Sequence, residues 1–356
     1  MRENFNAGVV LSLKTRAGNF CSFPGCNTPT SGPSEESATQ TSNTGVAAHI
    51  CAASQGKGAR RRLDLSKFDV KLLSDYSNGI WMCATHAKLI DTDEVRFTVK
   101  MLQHWRELAE LRATLSHAMG RTIQLELRQG RDVPLAEVKR TVSKDQTHTV
   151  DDVCTAVLDS CIVDVWGKDL GLAVRDLVGE MMLNAFAHGG ASKFRLDIDS
   201  NRVLIESDDA PYSFGQLLAD PKSHGGQQAA ASLMKLNDRL ITSYRREGDL
   251  NVLEIAFISS PDQVLRATTC SIEYGQFVND LESRGQLAPM YSTCETIYVV
   301  LQPDNHLIPS AARHLSVQLK ALANANKRLV LIGADVSSGV SYALSEAFPG
   351  MQIVNL

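Results

Sequence analysis

The sequence predicts an α+β chain of several domains, and three observations carry that expectation. Its 356 residues are more than one hydrophobic core usually organises. Two short-spaced pairs of soft ligands, Cys21 with Cys26 and Cys83 with His86, mark a small metal-stapled module at the front of the chain. Beyond residue 150, stretches of helical period interrupt pairs of alternating strands, and a strand–helix–strand run closes the sequence.

Taken in order, Cys21 and Cys26 close one tight loop, and the Ser/Thr/Gly/Pro-rich stretch 28–44 reads as an inserted loop. A short apolar strand follows, carrying His49 between Ala48 and Ile50, and then a basic run of Lys57, Arg60, Arg61 and Arg62. From 97 to 119 the spacing of Met101, Leu102, Trp105, Leu108, Leu111 and Leu115 predicts a helix that ends the first domain. The mixed, charged stretch 119–149, with Pro134, reads as a bridge. Asp151 and Asp152 cap the next helix, and Leu172 to His188 is a second one. Residues 193–198 and 202–206 alternate like paired strands, as do 240–244 and 250–257 after another helix. The last part holds strands at 296–301 and 328–333 around a helix at 309–323. The expected domains are 1–118, the bridge 119–149, 150–262 and 263–356.

Composition narrows the function classes. A net charge of −4 argues against a uniformly basic nucleic-acid binder, so phosphate contacts must come from a local patch such as Lys57 and Arg60 to Arg62. No apolar run is long enough for a membrane span and the N-terminus carries no secretory pattern, so a cytoplasmic setting without membrane contact is expected. In that setting the eight cysteines read as metal ligands plus buried thiols, with Cys51, Cys154, Cys161, Cys270 and Cys294 as small core residues. Cys21, Cys26, Cys83 and His86 make a three-thiolate, one-imidazole set. That set suits structural zinc and leaves no open position for catalysis.

Chemistry must then lie elsewhere. The motifs around Gly45 to Ile50, Ser77 to Cys83 and Leu89 to Asp91 resemble the HNH endonucleases of the ββα-metal type, nearest to those fused to nucleotide-sensing domains in bacterial antiphage systems. The resemblance covers about the first third of the chain. It implies a treble-clef/ββα-metal module in which His49 is the general base, Asn78 orients His49 or holds the loop, and double-stranded DNA is the substrate. Ala87 stands where many relatives carry a second metal-binding histidine. Asp91 is the nearest replacement ligand, and its hard carboxylate suits Mg2+ or Mn2+.

Glu180, Asn184 and His188 stand four apart on one predicted helix face. Asp208 and the pair Gly225 and Gly226 follow. In this order they resemble the GHKL ATPase fold, nearest to the anti-sigma-factor kinases, which implies a central α/β sandwich. The resemblance assigns Asn184 to magnesium, Glu180 to water or the phosphoacceptor, Asp208 to the adenine amino group, and the glycines to a phosphate lid. Ala210 stands in place of a glycine and the lid is reduced to one pair, so the ligand is ATP or another nucleotide signal. The C-terminal part weakly resembles STAS domains and implies an interaction or regulatory role. Together these imply a DNA endonuclease of antiviral defence gated by a nucleotide-binding sensor and acting as a homo-oligomer. The alternative is an ATP-sensing DNA-binding regulator whose zinc module is catalytically inactive.

Overall fold

The computed structural model describes residues 2–26, 28–120, 133–144, 150–212, 215, 224–236, 238–279 and 287–356, which divide between two compact units. The first unit takes the described residues up to 120, together with Val133–Val138 and Ala156–Gly171. The second takes Lys139–Thr155 and Leu172–Leu356. The chain thus enters the first unit again at two later segments.

In the first unit, Asn6 starts helix α1 (Ala7–Arg16), its side chain accepting the Val9 N–H at 2.9 Å. The expected loop 28–44 contains two short antiparallel strands, β1 (Ser31–Pro33) and β2 (Thr41–Asn43). Strands β3 (Gly45–His49) and β4 (Gly79–Cys83) then pair antiparallel, with Gly45 opposite Cys83 and His49 opposite Gly79. Helix α2 (Ala84–Ile90) leaves β4 directly. This strand–strand–helix run brings the end of β3 and the helix into one small frame. Gly79 is required by close approach, because a Cβ there would lie 2.4 Å from the buried Leu13 of α1. Helix α3 (Val99–Met119) opens on a Thr98 cap and ends at Gly120, whose φ of +64° suits glycine. It buries Met101, Leu102, Trp105 and Leu108, as the helical spacing predicts.

The bridge expected over 119–149 lies partly outside the described residues, but Leu135–Ser143 forms strand β5. Leu135, Val138 and Val142 are buried while charged Lys139 lies between them exposed. Those charges lower the apparent hydrophobicity of a strand with one wet face. Helices α4 (Val150–Asp159) and α5 (Ile162–Trp166) follow. The Asp159 carboxylate takes both arms of Arg96 at 2.7 and 2.9 Å, and its carbonyl accepts the Trp105 indole N–H at 3.0 Å.

The second unit has two sheets. Strand β5 lies at one edge of a five-stranded sheet with β6 (Lys193–Ser200), β7 (Arg202–Ser207), β8 (Leu240–Glu247) and β9 (Leu250–Phe257), in the order β5-β6-β7-β9-β8. The last four pair antiparallel. Helix α6 (Lys168–Ala187) buries Leu177, Val178, Met181, Met182 and Ala185, and α7 (His224–Met234) buries Ala230 and Leu233. The other sheet is parallel, β10 (Ser271–Glu273), β11 (Thr296–Val300), β12 (Arg328–Gly333) and β13 (Gln352–Asn355), in sequence order. Helix α8 (Pro261–Ala267) precedes it; α9 (Tyr274–Asn279), α10 (Leu287–Met290), α11 (Pro309–Asn324) and α12 (Ser338–Ala347) connect its strands. One face packs on α11 and α12 through Leu315, Leu319, Leu322 and Leu344. The other meets Ile241 and Ala256 of the antiparallel sheet through Tyr298, Val300, Val330 and Ile332. The Tyr298 hydroxyl accepts the Thr242 N–H at 3.0 Å and donates to the Thr242 carbonyl at 2.7 Å. The antiparallel sheet and the C-terminal α/β part therefore share one core.

Two cysteines depart from expectation. Cys270 and Cys294, read as separate core thiols, are joined in a disulfide across 24 positions of sequence. Their spacing carries no pattern that distinguishes a bridged pair from two buried thiols. Among the described residues no helix is long and apolar enough to cross a membrane.

Candidate metal and catalytic site

The strongest feature of the first unit is the ligand quartet. Cys21, Cys26, Cys83 and His86 bring one ligand atom each to within 4.8 Å of all the others. Cys83 ends β4 and caps α2, so His86, three residues on, lies on the same side of the helix. Its Nδ1 stands 3.2 Å from Cys83 Sγ and 3.5 Å from Cys21 Sγ, close to the roughly 3.5–3.8 Å edges of a zinc tetrahedron. Burial pushes the Cys21 thiol up to about 12, so a thiolate there needs a cation beside it. Burial also lowers the His86 imidazole and keeps it in the neutral form a metal binds. The donor set fits a structural zinc ion.

The supports of this quartet escape the ligand pattern. The Phe23 ring stacks on His86 with centroids 3.9 Å apart, and the Phe23 N–H points to Cys21 Sγ at 3.5 Å. Asp164 of α5 accepts the Gly25 N–H at 3.0 Å, pinning the turn between Cys21 and Cys26 from far along the chain. Arg112 donates to the Cys21 carbonyl at 3.2 Å.

His49 ends β3. Its Nε2 lies 3.0 Å from the Glu3 carbonyl, and its ring stacks on Phe5 at 3.9 Å and 11°. A carbonyl only accepts, so Nε2 carries the proton and Nδ1 holds the free lone pair. Burial lowers the His49 pKa, with the Arg2 charge acting the same way; the Glu3 carbonyl and Asp91 oppose them. Burial therefore favours the neutral imidazole, whose lone pair lies on Nδ1.

Asn78 is buried and holds the loop. It accepts the Cys51 N–H at 2.7 Å and donates to the carbonyls of Cys51 and Leu73 at 2.9 and 3.0 Å. Of the two roles expected for it, its hydrogen bonds perform the second. Asp91 caps α2 with an exposed carboxylate, and Ala87 is buried one turn earlier. Around Asp91 the described residues offer no second group of three metal-ligating side chains.

The basic run divides. Lys57, Arg60 and Arg62 are exposed. Arg61, expected as a phosphate contact, is instead 8% exposed, and its side chain donates to the Ile50 carbonyl at 2.7 Å, the Ile90 carbonyl at 2.5 Å and Asp91 at 3.1 Å. With a left-handed φ of +49° it turns inward and ties the end of β3 to the end of α2.

In the second unit, Glu180 and Asn184 lie half-buried on α6, and His188 follows its end exposed. Gly225 and Gly226, expected in a phosphate lid, stand in the first turn of α7. A Cβ on Gly225 would come within 2.3 Å of the Glu180 carboxylate, the flexible end of that side chain. Asp208, expected to meet adenine, accepts from the backbone of Ser192 and Lys193 at 2.8 Å each and from the Ser192 hydroxyl. Its neighbour Asp209 is the buried carboxylate, bonded to the Ser207 hydroxyl at 2.6 Å and to the Asn251 amide at 2.5 Å.

No protein-family model, curated protein or solved structure matches this chain. Its chemistry is read from its own residues. Those the motifs missed, Glu3, Phe5, Phe23 and Asp164, act through contacts 46, 44, 63 and 139 positions away in sequence, which no local spacing reveals.

Proposed function

We propose that the chain is a metal-dependent HNH-type DNA endonuclease, restrained by a GHKL-like nucleotide-binding part, of the kind used in bacterial antiphage defence. One observation supports it most: a neutral, oriented His49 at the end of β3, electrostatically coupled to Asp91 at the end of α2, in a frame tied to a Cys3His quartet. His49 Nδ1 would take the proton of a water attacking the phosphodiester. Asp91 would hold a magnesium or manganese ion, which supplies charge stabilisation at the leaving oxygen. Lys57, Arg60 and Arg62 would meet phosphates, while Arg61 keeps Asp91 aimed. Cleavage of both strands suits a homo-oligomer that pairs two such sites. The gating ligand would be ATP or a related nucleotide beside Asn184 and Glu180, with Asp209 the better-buried carboxylate to test.

Two observations favour the second reading, an ATP-sensing DNA-binding regulator. Phe5 covers one face of His49, and the described residues give Asp91 no companion ligand group. Purified protein incubated with duplex DNA and Mg2+ or Mn2+, with and without ATP, separates them. Cleavage abolished by His49→Ala upholds the nuclease. DNA retention without cleavage, weakened by Arg60→Ala with Arg62→Ala and indifferent to His49→Ala, supports the regulator instead.

A further inference from the structure

The second unit holds a cleft of about 320 Å³, within the size range of small-molecule sites, between β8, the start of β11 and the turn from α11 into β12. Ser243, Tyr244, Glu295, Thr296, Lys327 and Arg328 are among its lining residues. The two cations are adjacent and differently employed. Lys327 donates to the Ser292 carbonyl at 2.6 Å, which uses one of three ammonium donors. Arg328 is half-buried, and its guanidinium meets the side-chain oxygen of Gln352. Among the described residues no carboxylate lies within ion-pair distance of Arg328, and burial pulls its pKa below the ordinary value. The carboxylate of the cleft, Glu295, acts electrostatically on Tyr212 and Tyr244. The two cations stand side by side at the α11–β12 turn.

That turn is built firmly. The Ala325 N–H bonds to the Ala321 carbonyl at 3.2 Å, Lys327 N–H to Leu322 at 3.1 Å, and Arg328 N–H to Glu295 at 2.9 Å. The last carbonyls of α11 are thus occupied, and Asn326 takes the left-handed φ of +56° that reverses the chain. A half-buried guanidinium without a counter-charge is costly, and a bound anion with bidentate geometry relieves that cost.

We propose that this cleft binds a small organic oxyanion, a carboxylate or a phosphate, held by Arg328 and Lys327 with the hydroxyls of Ser243 and Thr296 beside it. Neither Glu180 nor Asn184 lines the cleft, and nothing in it depends on the nuclease reading.

Titration calorimetry on the full chain tests it with three probes: inorganic phosphate, succinate and adenosine monophosphate. At least one is expected to bind, with Arg328→Gln and Lys327→Gln each weakening it about tenfold or more. Lys327→Gln removes one ammonium and its bond to the Ser292 carbonyl, a smaller change that keeps the test valid if Arg328→Gln fails to fold. Binding of phosphate and the nucleotide without succinate assigns a phosphate ligand, and binding of succinate alone a carboxylate. The proposal is overturned if no probe binds at millimolar concentration. It is equally overturned if binding is unchanged in Lys327→Gln and in any Arg328→Gln that folds.

Discussion

Phe5→Ala tests the orientation of His49 most directly. The wild-type ring stacks at 3.9 Å on an imidazole whose Nε2–H is spent on the Glu3 carbonyl. Removing the ring frees the imidazole to rotate and lets water reach its face. An aromatic stack contributes about 0.5–1.5 kcal/mol beyond burial, and with the loosened Glu3 contact the total is about 1–2 kcal/mol. On the proposed nuclease reading, if that energy orients Nδ1 toward the attacking water, kcat falls about 5- to 30-fold while KM is unchanged. The pH profile gives a second readout. Burial holds the His49 pKa below its ordinary 6.5, so neutral base persists as pH falls. Relieving burial raises that pKa, so the variant loses proportionally more activity near pH 6 than near pH 8. DNA cleavage under single-turnover conditions, followed across that range, measures both effects. A rise in activity would show that Phe5 plugs the site rather than orients it, and an unchanged profile would remove it from the mechanism altogether.

Three further outcomes are expected. Asn78→Ala leaves the Cys51 N–H and the Cys51 and Leu73 carbonyls without their buried partner, at about 3–5 kcal/mol, read as a lower urea midpoint for the first unit. Gly79→Ala drives a methyl against the buried Leu13 and lowers stability by about 1–3 kcal/mol in thermal unfolding; a neutral result would mean that α1 yields freely. Chelation is expected to release a single equivalent of zinc and to lower the unfolding temperature of the first unit, and Cys83→Ala to reproduce the effect; metal analysis finding no zinc in the purified chain would refute the quartet.

The sequence exposed those parts of the molecule whose determinants are local. The Cys/His quartet was legible because each half-site closes within a few residues, and α3, β6 and β7 because their periodicity follows one buried face. Arg61 was not, since a basic run looks the same whether its members face water or, as here, one turns inward on a left-handed φ to meet two carbonyls. Glycines 225 and 226 read as a phosphate lid, and the structure sets them in the first turn of α7, with Gly225 facing the Glu180 carboxylate. Strand β5 hid behind its charged face, and the partnership of Cys270 with Cys294 rests on tertiary proximity alone.

The Tyr298 hydroxyl has a consequence beyond holding the second unit together. Strand β8 is the last of its sheet, and an open last strand invites a stranger's backbone to extend it. By satisfying both the amide and the carbonyl of Thr242, one phenol occupies a rung that an incoming chain would need. Tyr298 thereby closes that rung of the edge from within the unit, and Tyr298→Phe would open it while leaving the ring in place.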